Sequence, residues 1–292
     1  MDNRAEVRDF LRTRRAKITP ERAGLPAYGP RRVPGLRRDE VAWLAGVSVD
    51  YYVRLEKGNL STASDSVLTA IAGALQLDEA ERTHLFALAR ASRAGRSKHR
   101  RPPSPAIRPA VQHFLDTVTG SAVLVRNGRF DILAANALGR AVWAPALDAA
   151  AGRPNMARFA FLDPAARDFY RDWAEVGRDV VALLRTEAGR DPYDKDLTDL
   201  VGELATRSEP FRTWWATHDV ELLFSGVKAL RHPVAGEMTL TFTAMTLPSD
   251  PGLTINTYTA EPGSASEEKL RLLASWSATN APQHRTAGTE HH

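Results

Sequence analysis

Residues 36–58, LRRDEVAWLAGVSVDYYVRLEKG, constrain this chain more than any other stretch. Val41, Leu44 and Ala45 share one apolar face of a short helix. Gly46 suits a sharp turn at positive φ, Val47 plugs the corner, and Ser48 stands where a second helix needs its cap. In that second helix Tyr52 and Leu55 face inward at i and i+3. Ala42 lies four residues before Gly46, where a small side chain lets two helices cross closely. Together these features describe a helix-turn-helix.

The outward face of the second helix carries Asp50, Arg54 and Lys57 at i, i+4 and i+7, with Tyr51 beside Arg54. A helix so placed presents its first turns to base edges in a major groove. Arg54 has the fork that matches guanine O6 and N7, a contact worth about 1–3 kcal/mol of discrimination. Asp50 either accepts from cytosine N4 or orients Arg54. Lys57, near the helix end, and Arg37 and Arg38, at the start of the preceding helix, are placed for phosphates. Arg31 and Arg32 in the Pro/Gly-rich loop before it can add to them. Ser48 completes the candidate DNA-binding set.

Charge supports that reading once the chain is divided. The net charge of +4 hides 20 Lys/Arg against 12 Asp/Glu in residues 1–101, and 19 against 23 in residues 102–292. A basic head implies a polyanionic partner. The boundary is the run GRSKHRRPPSP, which reads as a semi-rigid linker. The expected organisation is a helical domain at 1–93, a linker at 94–105, a second domain at 106–277 and a flexible tail at 278–292, with His291-His292 at its end.

In the head, helices are expected at about 6–18, 36–45, 48–57, 64–76 and 79–93. The body opens with a helix at about 106–118. A hairpin follows, with Asn127-Gly128 between two apolar runs, which favours a type I′ turn. Helices follow at about 164–189, 194–207 and 209–217, then strands at about 219–230, 236–246 and 252–259 and a last helix at 266–276. The segment 232–236 is the turn between the first two of these strands. The fold class is α+β: an all-α helix-turn-helix domain, then an antiparallel sheet with a helical insert.

Several classes of function are excluded or disfavoured. With no cysteine there is no disulfide scaffold, thiolate zinc site, iron–sulfur cluster or thiol switch. No apolar run approaches the ~18 residues of a membrane span, and the first residues lack a signal-peptide core, so a cytoplasmic protein without membrane contact is expected. There is no phosphate-binding glycine loop, nucleophile elbow or HExxH, so no catalytic residue, metal or cofactor is assigned.

The head resembles the Xre/Cro-like helix-turn-helix family, through Gly46-Val-Ser48 and Leu55-Glu-Lys-Gly58. The whole chain resembles a narrower group, the MmyB-like transcription regulators. The matching stretches are Leu36 to Ala42, Gly46 to Tyr52, Phe161-Leu-Asp-Pro164, His218-Asp-Val220, His232-Pro233 and Tyr258-Thr-Ala-Glu-Pro-Gly263. The resemblance implies a regulator with a PAS-like C-terminal domain that binds an acyl or similarly apolar small molecule.

The large apolar groups of residues 155–217 fit either a core or a cavity wall. On the second reading Phe159, Trp173, Trp214 and Trp215 line the cavity, with Tyr193, Arg231 or His232 as polar anchors. The expected partners are double-stranded DNA, a small-molecule effector and a second copy of the chain, since one recognition helix reads too few bases for specificity. The effector would act through the 94–105 linker. A body used only for dimerisation or partner docking, or one carrying an enzyme, are the alternatives.

Overall fold

The computed structural model describes residues 2–26, 33, 35–94, 107–148 and 152–280. The described parts of Met1–Pro103 pack with Ala174–Leu223, and those of Ser104–Trp173 with Phe224–His292. Packing therefore does not follow the expected chain-order division into 1–93 and 106–277. The helical segment 174–223 is built into the first unit. Most of the expected linker lies outside the described residues, as do residues 281–292.

In the first unit the head forms α1 (Asn3–Lys17), α2 (Arg38–Leu44), α3 (Val49–Glu56), α4 (Asp65–Ala74) and α5 (Glu79–Ala94). Helix α1 starts three residues earlier than its apolar pattern predicts, because the Asp2 carboxylate accepts from Arg4 N. Val7, Phe10, Leu11, Val41, Tyr52, Leu55, Ile71 and Leu88 close into one buried cluster, which Val220 joins from far along the chain.

The second unit opens with α6 (Pro109–Thr117), β1 (Ala122–Asn127) and β2 (Ile132–Ala135). The β1–β2 turn is not the expected type I′. Gly128 is absent from the positive-φ residues, and Phe130 holds φ 66° instead. The Asn127 side chain decides this: its Oδ1 accepts from the amides of Arg129 and Asp131 at 2.9 and 3.0 Å. The Arg126 guanidinium lies 4.3 Å from the Phe130 ring centroid.

Four short helices follow: α7 (Ala137–Val142), α8 (Ala144–Asp148), α9 (Met156–Leu162) and α10 (Ala165–Phe169). The expected helix at 164–189 is broken at residues 170–172. There Tyr170 bridges to Leu230, and Arg171 N donates to Ala229 O at 3.1 Å. The chain then runs through α11 (Trp173–Arg190), α12 (Lys195–Arg207) and α13 (Glu209–Trp215), which belong to the first unit from Ala174 onward. It returns as β3 (Ser225–His232), β4 (Gly236–Thr246), β5 (Leu253–Thr259) and α14 (Ala265–Asn280). Residues 219–224 are not strand, and those up to Leu223 belong to the first unit. Helix α14 runs four residues past its expected end.

The five strands form one antiparallel sheet in the order β2-β1-β5-β4-β3, so the α+β expectation stands. Its alternating side chains divide two ways. Val123, Val125, Leu253 and Ile255 pack with Leu115 of α6. Tyr258, paired with Phe242 across the strands, packs with Trp143 at 5.0 Å between centroids.

Candidate DNA-binding surface and its supports

The helix-turn-helix forms as its residues dictate. Gly46 takes φ 64° at the turn, and Val47 N reaches back to Ala42 O at 3.0 Å, closing the end of α2. Ala42 is fully buried at the crossing with α3. Ser48 caps α3 by accepting from Tyr51 N at 3.2 Å, so its hydroxyl serves the helix first. Asp50, Arg54 and Lys57 are exposed and Tyr51 is half-buried beside them.

Arg37 is the N-cap residue of α2, with its amide donating to Glu40 at 2.6 Å and its side chain exposed. Arg38 differs from expectation: half-exposed, it pairs with Glu56 at 3.3 Å. A tethered guanidinium is aimed, and keeps only part of its fork for a phosphate. Arg31 and Arg32 lie outside the described residues.

The residue that sequence reading missed here is Glu56. Its side chain is 2% exposed and accepts a forked pair from Arg15 of α1, at 2.9 and 3.1 Å. Arg15 also donates to Leu36 O at 2.8 Å, so one guanidinium ties α1, the start of α2 and the end of α3 together. Burial alone would raise the Glu56 pKa, but the hydrogen bonds from Arg15 and Arg38 hold it below the usual range. Gly58 closes α3 at φ 96°, with Arg4 O where a Cβ would stand 2.5 Å away. Val49, the first residue of α3, and Trp43 on α2 are also exposed, offering apolar groups beside the charged face.

The expected ligand set divides between the two units. Tyr193, Trp214 and Trp215 belong to the first unit, while Phe159, Trp173, Arg231 and His232 belong to the second. Trp173 donates to Ala160 O at 2.7 Å and stacks under Arg167. Trp215 stacks on Phe211 and lies 4.0 Å under Arg185. Trp214 carries Arg178 over its ring, and Tyr193 is exposed at a cleft. Arg231 is exposed and pairs with Glu237 at 3.4 Å. His232 is a structural pin: Nε2 donates to Ala141 O at 3.0 Å, while Nδ1 accepts from Val234 N and Ala235 N. Burial lowers its pKa, in keeping with a neutral ring.

Of that set Phe159 sits in the buried aromatic cluster of the second unit, 5.7 Å from Phe169 and 5.9 Å from Tyr170, and His232 borders it at 6.4 Å from Phe169. Trp143 joins them at 5.5 Å from Phe169. Two buried polar atoms there lack partners, Trp143 Nε1 and Asn256 Oδ1. Among the described residues no group of three or more His, Asp or Glu is placed to hold a metal, and no helix is long and apolar enough to cross a membrane.

A capped, outward-facing helix held by a buried ion pair, in a chain that also carries a five-stranded α+β unit, fits the class of helix-turn-helix proteins with a second domain. The comparisons name it further. Residues 6–85 match a family model described as a helix-turn-helix domain, and residues 107–273 match the MmyB-like transcription regulator ligand binding domain. The second match covers more than half of the chain, which thus belongs to the MmyB-like transcription regulators. A comparison with curated proteins found no match.

Proposed function

We propose that this regulator binds a specific duplex operator as a homodimer and answers to an apolar or acyl-type small molecule. The observation that carries the DNA reading is the exposed Asp50–Arg54–Lys57 face on a helix whose cap, turn and base are all fixed. Arg54 reads a guanine, Asp50 adjoins it, and Arg37, Arg38 and Lys57 meet phosphates. The exposed methyls of Val49 suit a thymine methyl at the same edge.

Arg54→Ala is expected to cost about 1–3 kcal/mol, roughly 5- to 150-fold, on an operator selected from a random duplex pool. On a scrambled duplex at the same salt the loss is expected to be much smaller. Equal loss on both duplexes would reduce Arg54 to a phosphate contact.

The ligand reading is supported by the aromatic cluster of the second unit and by its unpartnered Trp143 Nε1 and Asn256 Oδ1. Buried polar atoms without partners are uncommon in a finished core, and a ligand headgroup is one thing that satisfies them. Straight-chain fatty acids should raise the melting temperature in proportion to occupancy. Asn256→Leu should abolish that shift, and a shift that survives it places the ligand elsewhere.

A further inference from the structure

The first unit holds a second buried charge cluster that the DNA-binding face does not use. Glu6 of α1 accepts from Arg185 of α11, whose side chain is fully buried. His218 Nδ1 lies 3.4 Å from the same carboxylate oxygen and His84 Nε2 of α5 lies 3.8 Å from it. Arg185 also donates to Trp215 O and sits over the Trp215 ring. Next to it Asp219 accepts from Lys17 at 2.6 Å and from Arg14 at 3.2 Å, and Arg14 donates to His218 O. Gly189 of α11 lies flat against His84: a Cβ there would meet the ring at 2.3 Å. Helix α11 and the loop at His218 and Asp219 thus engage α1 and α5 of the DNA-binding head.

That segment carries 11 Asp/Glu against six Lys/Arg, so it is acidic where the head is basic. Its position makes the sign matter. A cleft of about 660 Å³ has Gly58, Asn59 and Ser61, the loop following α3, on one side. Tyr193, Lys195 and Thr198 at the start of α12 are on the other. Asp194 caps α12, Asp196 follows in its first turn, and Lys195 is neutralised by Asp199 at 2.5 Å. A duplex seated on α3 brings phosphates toward this acidic edge, and like charges so placed weaken its binding.

We propose that helices α11–α13 are an acidic guard on the DNA-binding head, latched by Glu6 and Arg185, that lowers DNA affinity until the sensor domain releases it. The proposal rests on the DNA and effector readings above and adds the route between them. Helix α11 begins in the second unit at Trp173, and the chain re-enters that unit at Phe224. A ligand that biases either end of the segment biases the latch. The signal then travels through this packed segment and not through the 94–105 linker.

The test uses the full chain and fluorescence anisotropy on the selected operator at one fixed salt concentration. The double variant E6Q/R185M removes both buried charges together, so neither is left unpaired. It should bind about tenfold more tightly than wild type, within the usual range for a coupling of this kind. D196N/D199N leaves the latch intact and should also tighten binding, with the gain shrinking as salt rises. If E6Q/R185M does not fold, K17A/D219N opens the exposed rim of the latch and should tighten binding to a smaller degree. Wild-type or weaker affinity in whichever latch variant is folded overturns the guard and makes the segment a scaffold for the head. Unchanged affinity in D196N/D199N overturns the acidic edge as its means. Failure of the DNA reading looks different: wild type and Arg54→Ala would then bind the operator alike.

Discussion

Glu56→Ala lowers the stability of the first unit by about 3–5 kcal/mol, because it leaves Arg15 buried without its counter-charge. The forked pair is enclosed, with Glu56 2% and Arg15 11% exposed in their side chains. Removing the carboxylate also unties Arg38 and loosens α1 from α3. Hydrogen exchange followed by peptide distinguishes this from general damage. Amides of α1 and α3 should lose protection, while those of β1, β4 and β5 keep theirs. Glu56→Gln keeps the shape and one acceptor and should lose less. If Glu56→Ala melts like wild type, the pair is ornamental and the recognition helix is held by its apolar contacts alone.

The second large effect is expected in the other unit. Asn136→Ala should cost about 2–4 kcal/mol. This buried amide spans four groups: its Oδ1 accepts from Val123 N at 2.9 Å and Gly139 N at 2.7 Å, and its Nδ2 donates to Val118 O and Ser121 O at 2.6 and 2.8 Å. Alanine leaves two donors and two acceptors without their partner at the joint between β1 and α7. Gly139 adds to the tightness of that joint, since a Cβ would stand 2.3 Å from Val123 O. Asn136→Asp keeps the two accepted bonds and should fall between wild type and alanine. Protection should drop in β1 and α7 and hold in α1 to α5. A loss spread evenly over both units would mean that Asn136 is not a local joint.

The helix-turn-helix was legible in the sequence because its signals are local. Gly46, Ser48, Tyr52 and Leu55 act within one or two turns of each other, and Arg54 needs only to face outward. The ligand set was not legible in the same way. Phe159, Trp173, Trp214 and Trp215 share a composition, yet apolar periodicity does not say which layer a helix packs on. The break at Tyr170 also arises from a long-range bridge to Leu230, which no local pattern announces. Asn127 is an intermediate case. Its dipeptide with Gly128 marked a turn correctly, while the side-chain bonds to Arg129 and Asp131 chose a different turn.

The stretch His218-Asp219-Val220 shows the limit most plainly. In sequence it was a short match to a family. In the structure His218 adopts φ 55° and offers its carbonyl to Arg14, Asp219 holds Arg14 and Lys17, and Val220 enters the core of the head.

By itself the sequence determined a basic helical head with a helix-turn-helix, an α+β body and the order in which they follow. Those properties come from caps, turns, periodicity and charge, which act over a few residues. Only the tertiary structure decided that an acidic segment from the body's own sequence is built into the head. That assignment depends on Glu6 meeting Arg185 across 179 positions, and burial of a charge pair is a property of the closed fold alone.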